Sequence, residues 1–422
     1  MIKMKNRAIR YFFTFLIYNC FLILLLCLSY SIPREKTLES VTEARDDYEK
    51  SGLYQGDYDG WTDALIMSTT IISANNDKVR NLFDLARFAL CNNVCREAMT
   101  DSDPLLGLNK LIPHEDRFVP YSNYFVGAVF FYRILFVFFT VDTVRFFLQM
   151  ITVCGIVSVS VLLYKSLGNY RGIIPFMTMV LTGNLIYMSG CLTYAIDILI
   201  MLMSIIIVLL LEEKKNDNDW IMIFGLIGML SFSMNYWSFP LLTLMGPLVA
   251  LFMVWKSKSV KIKIHFIRIS QCIGAWIVGF GLEVGFRVAT GRLFCDSNTA
   301  LEHLRYYSTS DSIFDVGLTR VQRVKICWDN FFTLRNRTIL LLSIVILLPG
   351  LLMHLIKSKK KKSKIFEIIV GLLLAIIPLV WLFILYNHTF HGFDKFNVCI
   401  VTYGICAALV IFSSDYSVES AK

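Results

Sequence analysis

The stretch KSKKKKSK, Lys357–Lys364, stands between two long apolar runs, and a second of the same kind, KSKSVKIK, Lys256–Lys263, stands between two more. Lysine-rich loops beside apolar spans are retained on the cytoplasmic side of a membrane. Two long polar stretches, roughly 33–118 and 288–337, carry mixed charge and many aromatic residues. The same rule sends both to the opposite face. The chain therefore reads as a membrane protein with plain basic hinges inside and elaborate loops outside.

Composition agrees. The 56% of hydrophobic residues and a mean hydropathy of +0.60 exceed what a soluble chain carries, and several runs approach the ~20 apolar residues that cross a bilayer. A net charge of +9 would suit a nucleic-acid binder, but Lys256, Lys258, Lys261, Lys263, Arg268 and the six lysines of 357–364 exceed that excess by themselves. Such residues are topology signals beside anionic lipid head groups, so membrane lipids are expected partners and nucleic acid is not. Most of the eleven cysteines fall inside apolar runs, where cysteine is a small buried hydrophobe. Cys91, Cys95, Cys295 and Cys327 fall in the outer loops; Cys91 and Cys95, four apart, leave a disulfide or a metal pairing open.

The basic start MIKMKNRAIR precedes the apolar run Tyr11–Ser31, which is long and lacks a small-x-small cleavage site, so an uncleaved anchor is expected. Further spans are expected at 146–164, 173–190, 195–211, 219–236, 239–255, 268–287, 338–357, 365–386 and 396–413. The apolar stretch 120–140 carries Arg133, which costs about 2.5–3.5 kcal/mol at a bilayer centre. Reading 120–140 as an interfacial or re-entrant helix puts both lysine loops inside and gives ten crossings of the cell membrane with both termini cytoplasmic. Keeping it as a span, and merging or dropping a short neighbour, is the alternative. The expected architecture is an all-α polytopic membrane protein, one integral membrane domain over 1–422. Its large first outer loop, 33–145, contains interfacial helices, and a second outer loop covers 288–337.

Chemistry is sought in the first outer loop. YQGDYDGWTDALIM, Tyr54–Met67, clusters Asp57, Asp59 and Asp63 around Trp61. Asp63 suits the N-cap of the apolar run that follows it. Carboxylates with a tryptophan between them also suit a sugar site, supplying a base for a hydroxyl and an aromatic face for the ring. Arg117 precedes the interfacial segment and Arg133 lies within it. The late turn YNHTFHGFDKF contributes His388, His391 and Lys395, suited to a phosphate-linked substrate; as a metal pair the histidines lack a third ligand. Glu283 and Arg287, four apart, could pair within a span. Walker, HExxH, GxSxG and dinucleotide motifs are missing from the sequence, leaving nucleotide-driven pumps, zinc proteases and serine hydrolases without support.

On DGWTDALIM, the Arg133-containing segment and the NHTFHGF turn, the layout resembles the GT-C class of polytopic glycosyltransferases, and more narrowly uncharacterised GT-C-like membrane proteins of Gram-positive bacteria. In those relatives the last turn continues with aromatic residues and an arginine, where this chain has Asp394-Lys395-Phe396. The resemblance implies transfer of a sugar from a polyprenyl-phosphate-linked donor to a cell-envelope glycan or lipid acceptor on the outer face. It implies Asp59, then Asp63, as the base, with Trp61, Arg117, Arg133, His388, His391 and Lys395 as substrate contacts. A divalent cation assists some relatives, and nothing in this sequence fixes one. A flippase of lipid-linked saccharides would use the same aromatics without a base. A polysaccharide polymerase or ligase would use the arginines of the second outer loop, Arg292, Arg305, Arg320, Arg323 and Arg335.

Overall fold

A computed structural model describes residues 2–51, 60–71, 81–91, 94–95, 118–119, 127–213, 220–234, 239–257, 262–295, 301–302, 319–357, 373, 375–381, 383–384 and 394–413. Helix α1 spans Ile2–Tyr30 and is followed by α2 (Glu35–Ser51), α3 (Gly60–Thr70) and α4 (Leu82–Cys91). Two-residue strands β1 (Val94–Cys95) and β2 (Phe118–Val119) pair antiparallel, Val94 opposite Val119. Then come α5 (Ala128–Phe138), α6 (Val141–Leu167), α7 (Ile173–Thr182), the single turn α8 (Leu185–Met188) and α9 (Leu192–Glu213). Helices α10 (Trp220–Ser233), α11 (Pro240–Ser257) and α12 (Ile262–Cys295) lead to α13 (Arg320–Phe331), α14 (Leu334–Lys357) and α15 (Asp394–Ser413).

Among the described residues, five helices are long and apolar enough to cross a bilayer: Ile9–Tyr30, Val141–Leu167, Leu192–Glu213, Phe266–Cys295 and Leu334–Met353. The stretch expected to be an interfacial helix, 120–140, contains α5, whose 11 residues extend only about 16 Å, half a bilayer core. The span expected at 173–190 is not continuous. Gly183 ends α7 and Asn184 takes the left-handed conformation, φ 51°, before α8. Most of the span expected at 365–386 lies outside the described residues.

The helix ends sort to two sides. The Trp255 indole donates to Glu212 Oε2 at 3.1 Å, and the Arg268 guanidinium lies 5.5 Å from the Trp255 ring. The end of α9, the end of α11 and the start of α12 therefore meet beside Lys256–Lys263. Asp63 bonds both Arg145, near the start of α6, and the first residues of α9. Since α6 has 27 residues, about 40 Å of helix, residues 168–191 must climb back along it, and α7 and α8 are that interrupted return. Arg335, at the start of α14, donates to the Leu181 carbonyl at the end of α7, so α14 runs back to Lys357. The end of α6, the adjoining ends of α11 and α12, and Lys357 of α14 thus share one end. The opposite end is called distal below.

Two hydrophobic cores follow from this arrangement. The larger fills the bundle from α6 to α15. The smaller joins α2 to α5 with the distal ends of α1, α6 and α9, around Leu26, Tyr30, Ile66, Tyr132 and Val144. Helices α10 and α12 approach through glycines. A Cβ added at Gly228 would overlap the Trp276 carbonyl, and one at Gly279 would overlap that of Gly225. Such contacts let two apolar helices pack backbone to backbone where lipid offers no hydrophobic gain.

Candidate functional site at the distal tier

Helix α5 begins where α10 ends. Gly127 N–H donates to the Ser233 carbonyl at 2.7 Å and Ala128 N–H to the Met234 carbonyl at 3.2 Å, so the orphan donors of one helix meet the orphan acceptors of another. From this mount α5 presents Tyr132, whose hydroxyl donates to the Leu192 carbonyl, and Arg133. Arg133 is fully buried. Its Nε donates to the Ser29 carbonyl at 2.7 Å, and Nη1 and Nη2 donate to the carbonyls of Thr70 and Ile32. Ser29 and Thr70 close α1 and α3, so one guanidinium, 5.5 Å from the Tyr30 ring, gathers two negative helix ends.

Asp63 does the reverse. It lies in the first turn of α3, fully buried, and its carboxylate accepts from Thr193 N–H (2.9 Å), Thr193 Oγ1 (3.0 Å), Leu192 N–H (3.2 Å) and the Cys191 thiol (3.1 Å). It also pairs with Arg145 at 3.0 Å. It is an N-cap, but for α9 rather than for its own helix. One turn into α9, Asp197 repeats the device by accepting from Phe239 N–H, just ahead of α11, at 3.2 Å. Across the tier, Arg287 of α12 donates to the Leu90 carbonyl at the end of α4, and Arg87 donates to the Phe294 carbonyl at 2.8 Å. A disulfide joins Cys91 to Cys295, with Cα atoms 5.7 Å apart. Asp63, Asp197, Arg133 and Arg287 thus each meet a helix end of opposite sign.

These placements correct several expectations. Cys91 pairs with Cys295 and not with Cys95. Glu283 and Arg287 do not pair: Asn19 Nδ2 donates to Glu283, and Arg287 serves α4. Arg133, expected at a phosphate, is enclosed and spends its donors on backbone carbonyls. Asp63, expected as a second base, is enclosed in the same way, with its carboxylate committed to α9 and Arg145. Asp59, Arg117, His388 and His391 lie outside the described residues. Trp61 is in α3 and Lys395 in the first turn of α15, and the side chains of both lie outside the described part. Sequence reading misses Arg145 and Asp197, which sit in apolar runs as helix flanks; an isolated charge two turns or less from a span's start is the signal that marks them.

The disulfide carries an expectation of its own. Full-length protein should resist a thiol-reactive label at Cys91 and Cys295 until it is reduced. Cys91→Ser should lower stability by about 2–4 kcal/mol. Labelling of either cysteine in the unreduced protein would show that the bond is not formed.

No family model, curated protein or solved structure matches the chain.

Proposed function

We propose that the chain is a membrane glycosyltransferase, moving a sugar from a polyprenyl-phosphate-linked donor to a cell-envelope acceptor at the distal, outer face. The observation that carries this reading is the anchoring of α3. Asp59 immediately precedes that helix in the chain, and Asp63, one turn on, is tied by five contacts to α6 and α9. A base set on such a frame needs no reorganisation to act. Two further features support it. A disulfide at the distal end suits an oxidising, exported face. An apolar groove of about 400 Å³ between α5, α9 and α10, lined by Phe131, Leu199, Met203, Leu226 and Met234 among others, suits a lipid carrier's tail. In this reading both termini are cytoplasmic and α7 with α8 makes one of ten crossings.

The Asp59 carboxylate takes the proton of the acceptor hydroxyl as its oxygen attacks the anomeric carbon. The bond from that carbon to the carrier phosphate breaks with inversion, and polyprenyl phosphate leaves. Arg117, His388, His391 and Lys395 supply the positive charge that the departing phosphate needs. Trp61 offers a face to the sugar. The frame residues Asp63, Arg133 and Arg145 hold this arrangement without touching substrate.

Purified protein given a panel of polyprenyl-phosphate-linked sugars should release carrier phosphate, and Asp59→Asn should reduce release by about 10²–10⁴-fold while remaining folded. Undiminished release from that variant would sink the assignment. Movement of lipid-linked sugar between leaflets without release would replace it with a flippase.

A further inference from the structure

Midway along α1 and α12 lies a polar group that the transferase reading does not use. Glu283 of α12 is fully buried, and its Oε1 accepts from Asn19 Nδ2 at 2.9 Å. Glu283 Oε2 and Asn19 Oδ1 are both buried and have no hydrogen-bond partner among the described residues. Beside them Tyr18 shares a hydrogen bond with Ser233 of α10, and the Tyr11 hydroxyl donates to the Ala275 carbonyl at 3.3 Å.

Among the described residues no cation faces this carboxyl. Arg287, one turn further along α12, turns to the Leu90 carbonyl. Helix α10, WIMIFGLIGMLSFS, brings no titratable group. Helix α11 carries Lys256 only at its basic end. Helix α4 carries Asp84, Arg87 and the disulfide-bonded Cys91. Helix α1 adds Tyr11, Tyr18, Tyr30 and the thiols of Cys20 and Cys27, which are neutral acids, while its cations Lys3, Lys5, Arg7 and Arg10 all precede Asn19 by more than two turns. Helix α5, packed on α1, carries Tyr132 and Arg133, and Arg133 turns to the carbonyls of Ser29, Ile32 and Thr70.

An ionised carboxylate without a counter-charge at membrane depth is far costlier than the neutral acid. The two atoms without partners are both acceptors, one on each side of the same pair. A single proton on Oε2 supplies the donor that both lack, closing a reciprocal acid–amide pair in which Nδ2–H bonds Oε1 and Oε2–H bonds Oδ1. We propose that Glu283 is a proton-binding site, occupied at neutral pH, that joins α12 to α1 through Asn19. The pair stands independently of any transferase activity.

Glutamine reproduces the protonated acid, donating from its amide to Asn19 and accepting in return, so Glu283→Gln tests the idea without unfolding the protein. In full-length protein in nanodiscs, the infrared difference between wild type and Glu283→Gln should contain the carbonyl band of a protonated carboxylic acid at neutral pH. The thermal midpoint of the wild type should fall as buffer is made alkaline, while that of Glu283→Gln stays level. Glu283→Leu, which removes the pairing, should have a lowered midpoint at every pH. Ionised carboxylate bands at neutral pH, or identical pH profiles for wild type and Glu283→Gln, would overturn the proposal. So would a sodium-dependent rise in the wild-type midpoint at constant ionic strength, which would make the pair a metal-cation site.

Discussion

Replacing Arg133 with alanine should cost the protein about 3 kcal/mol or more and loosen the whole distal tier. Three carbonyls, those of Ser29, Ile32 and Thr70, accept from this one buried guanidinium. Each buried acceptor stripped of its donor costs about 1–3 kcal/mol. The loss is also concentrated, because Ser29 and Thr70 terminate α1 and α3 and their outward partial charges have the Arg133 cation as their common neighbour. Thermal unfolding in detergent, followed by intrinsic fluorescence, would read the effect as a lowered midpoint. Arg133→Lys should recover only part of it, since an ammonium keeps the charge but lacks the planar fork that reaches three carbonyls. An Arg133→Ala midpoint equal to that of wild type would mean that the carbonyls find other donors and that the guanidinium is not what gathers the helix ends.

A comparable penalty is expected at Asp63. Asp63→Ala takes from the Arg145 guanidinium its buried ion-pair partner, leaving the largely exposed Asp142 at 3.4 Å, and it strips the Leu192 and Thr193 amides of their acceptor. Breaking a buried pair from one side costs about 3–5 kcal/mol. Much of that is the penalty of the charge left behind. The double variant Asp63→Asn/Arg145→Gln should therefore be less damaged than the sum of its single changes, a departure from additivity that contacting residues show. Strict additivity would separate the two side chains energetically and leave the cap on α9 as the main use of Asp63. Together with Asp59→Asn the pair also divides structure from chemistry: Asp63 variants should lose midpoint and activity together, and Asp59→Asn activity alone.

What the sequence shows and what it hides divide along a physical line. The basic end is legible because lysine clusters are local features, and the helix ends that lead into the two lysine loops, those of α11 and α14, lie on one side. The misfit of Arg133 in an apolar run is legible for the same reason, and α5 is too short to cross. The use made of Arg133 is not legible, because its partners are backbone carbonyls, which every residue has. Asp63 reads as the cap of the apolar run that follows it, yet α3 already begins at Gly60 and the helix Asp63 caps lies more than a hundred residues away in the chain, a pairing that no local spacing encodes. The break at Gly183 and Asn184 is hidden in LTGNLIYM, where apolar neighbours on both sides mask a left-handed residue. Glu283 and Arg287 are spaced for an ion pair, yet each finds a partner on a different helix.

The head-to-tail junction of α5 on α10 also bears on how the protein is made. Residues 128–138 leave the ribosome long before Ser233 and Met234, whose carbonyls seat the first turn of α5. The disulfide likewise links cysteines 204 residues apart. During synthesis the first amides of α5 must wait for their acceptors until α10, and the disulfide for its partner until α12, has been made. The distal tier is thus translated first and assembled last, and a ribosome stalled before residue 233 should hold a chain whose α5 has not yet docked.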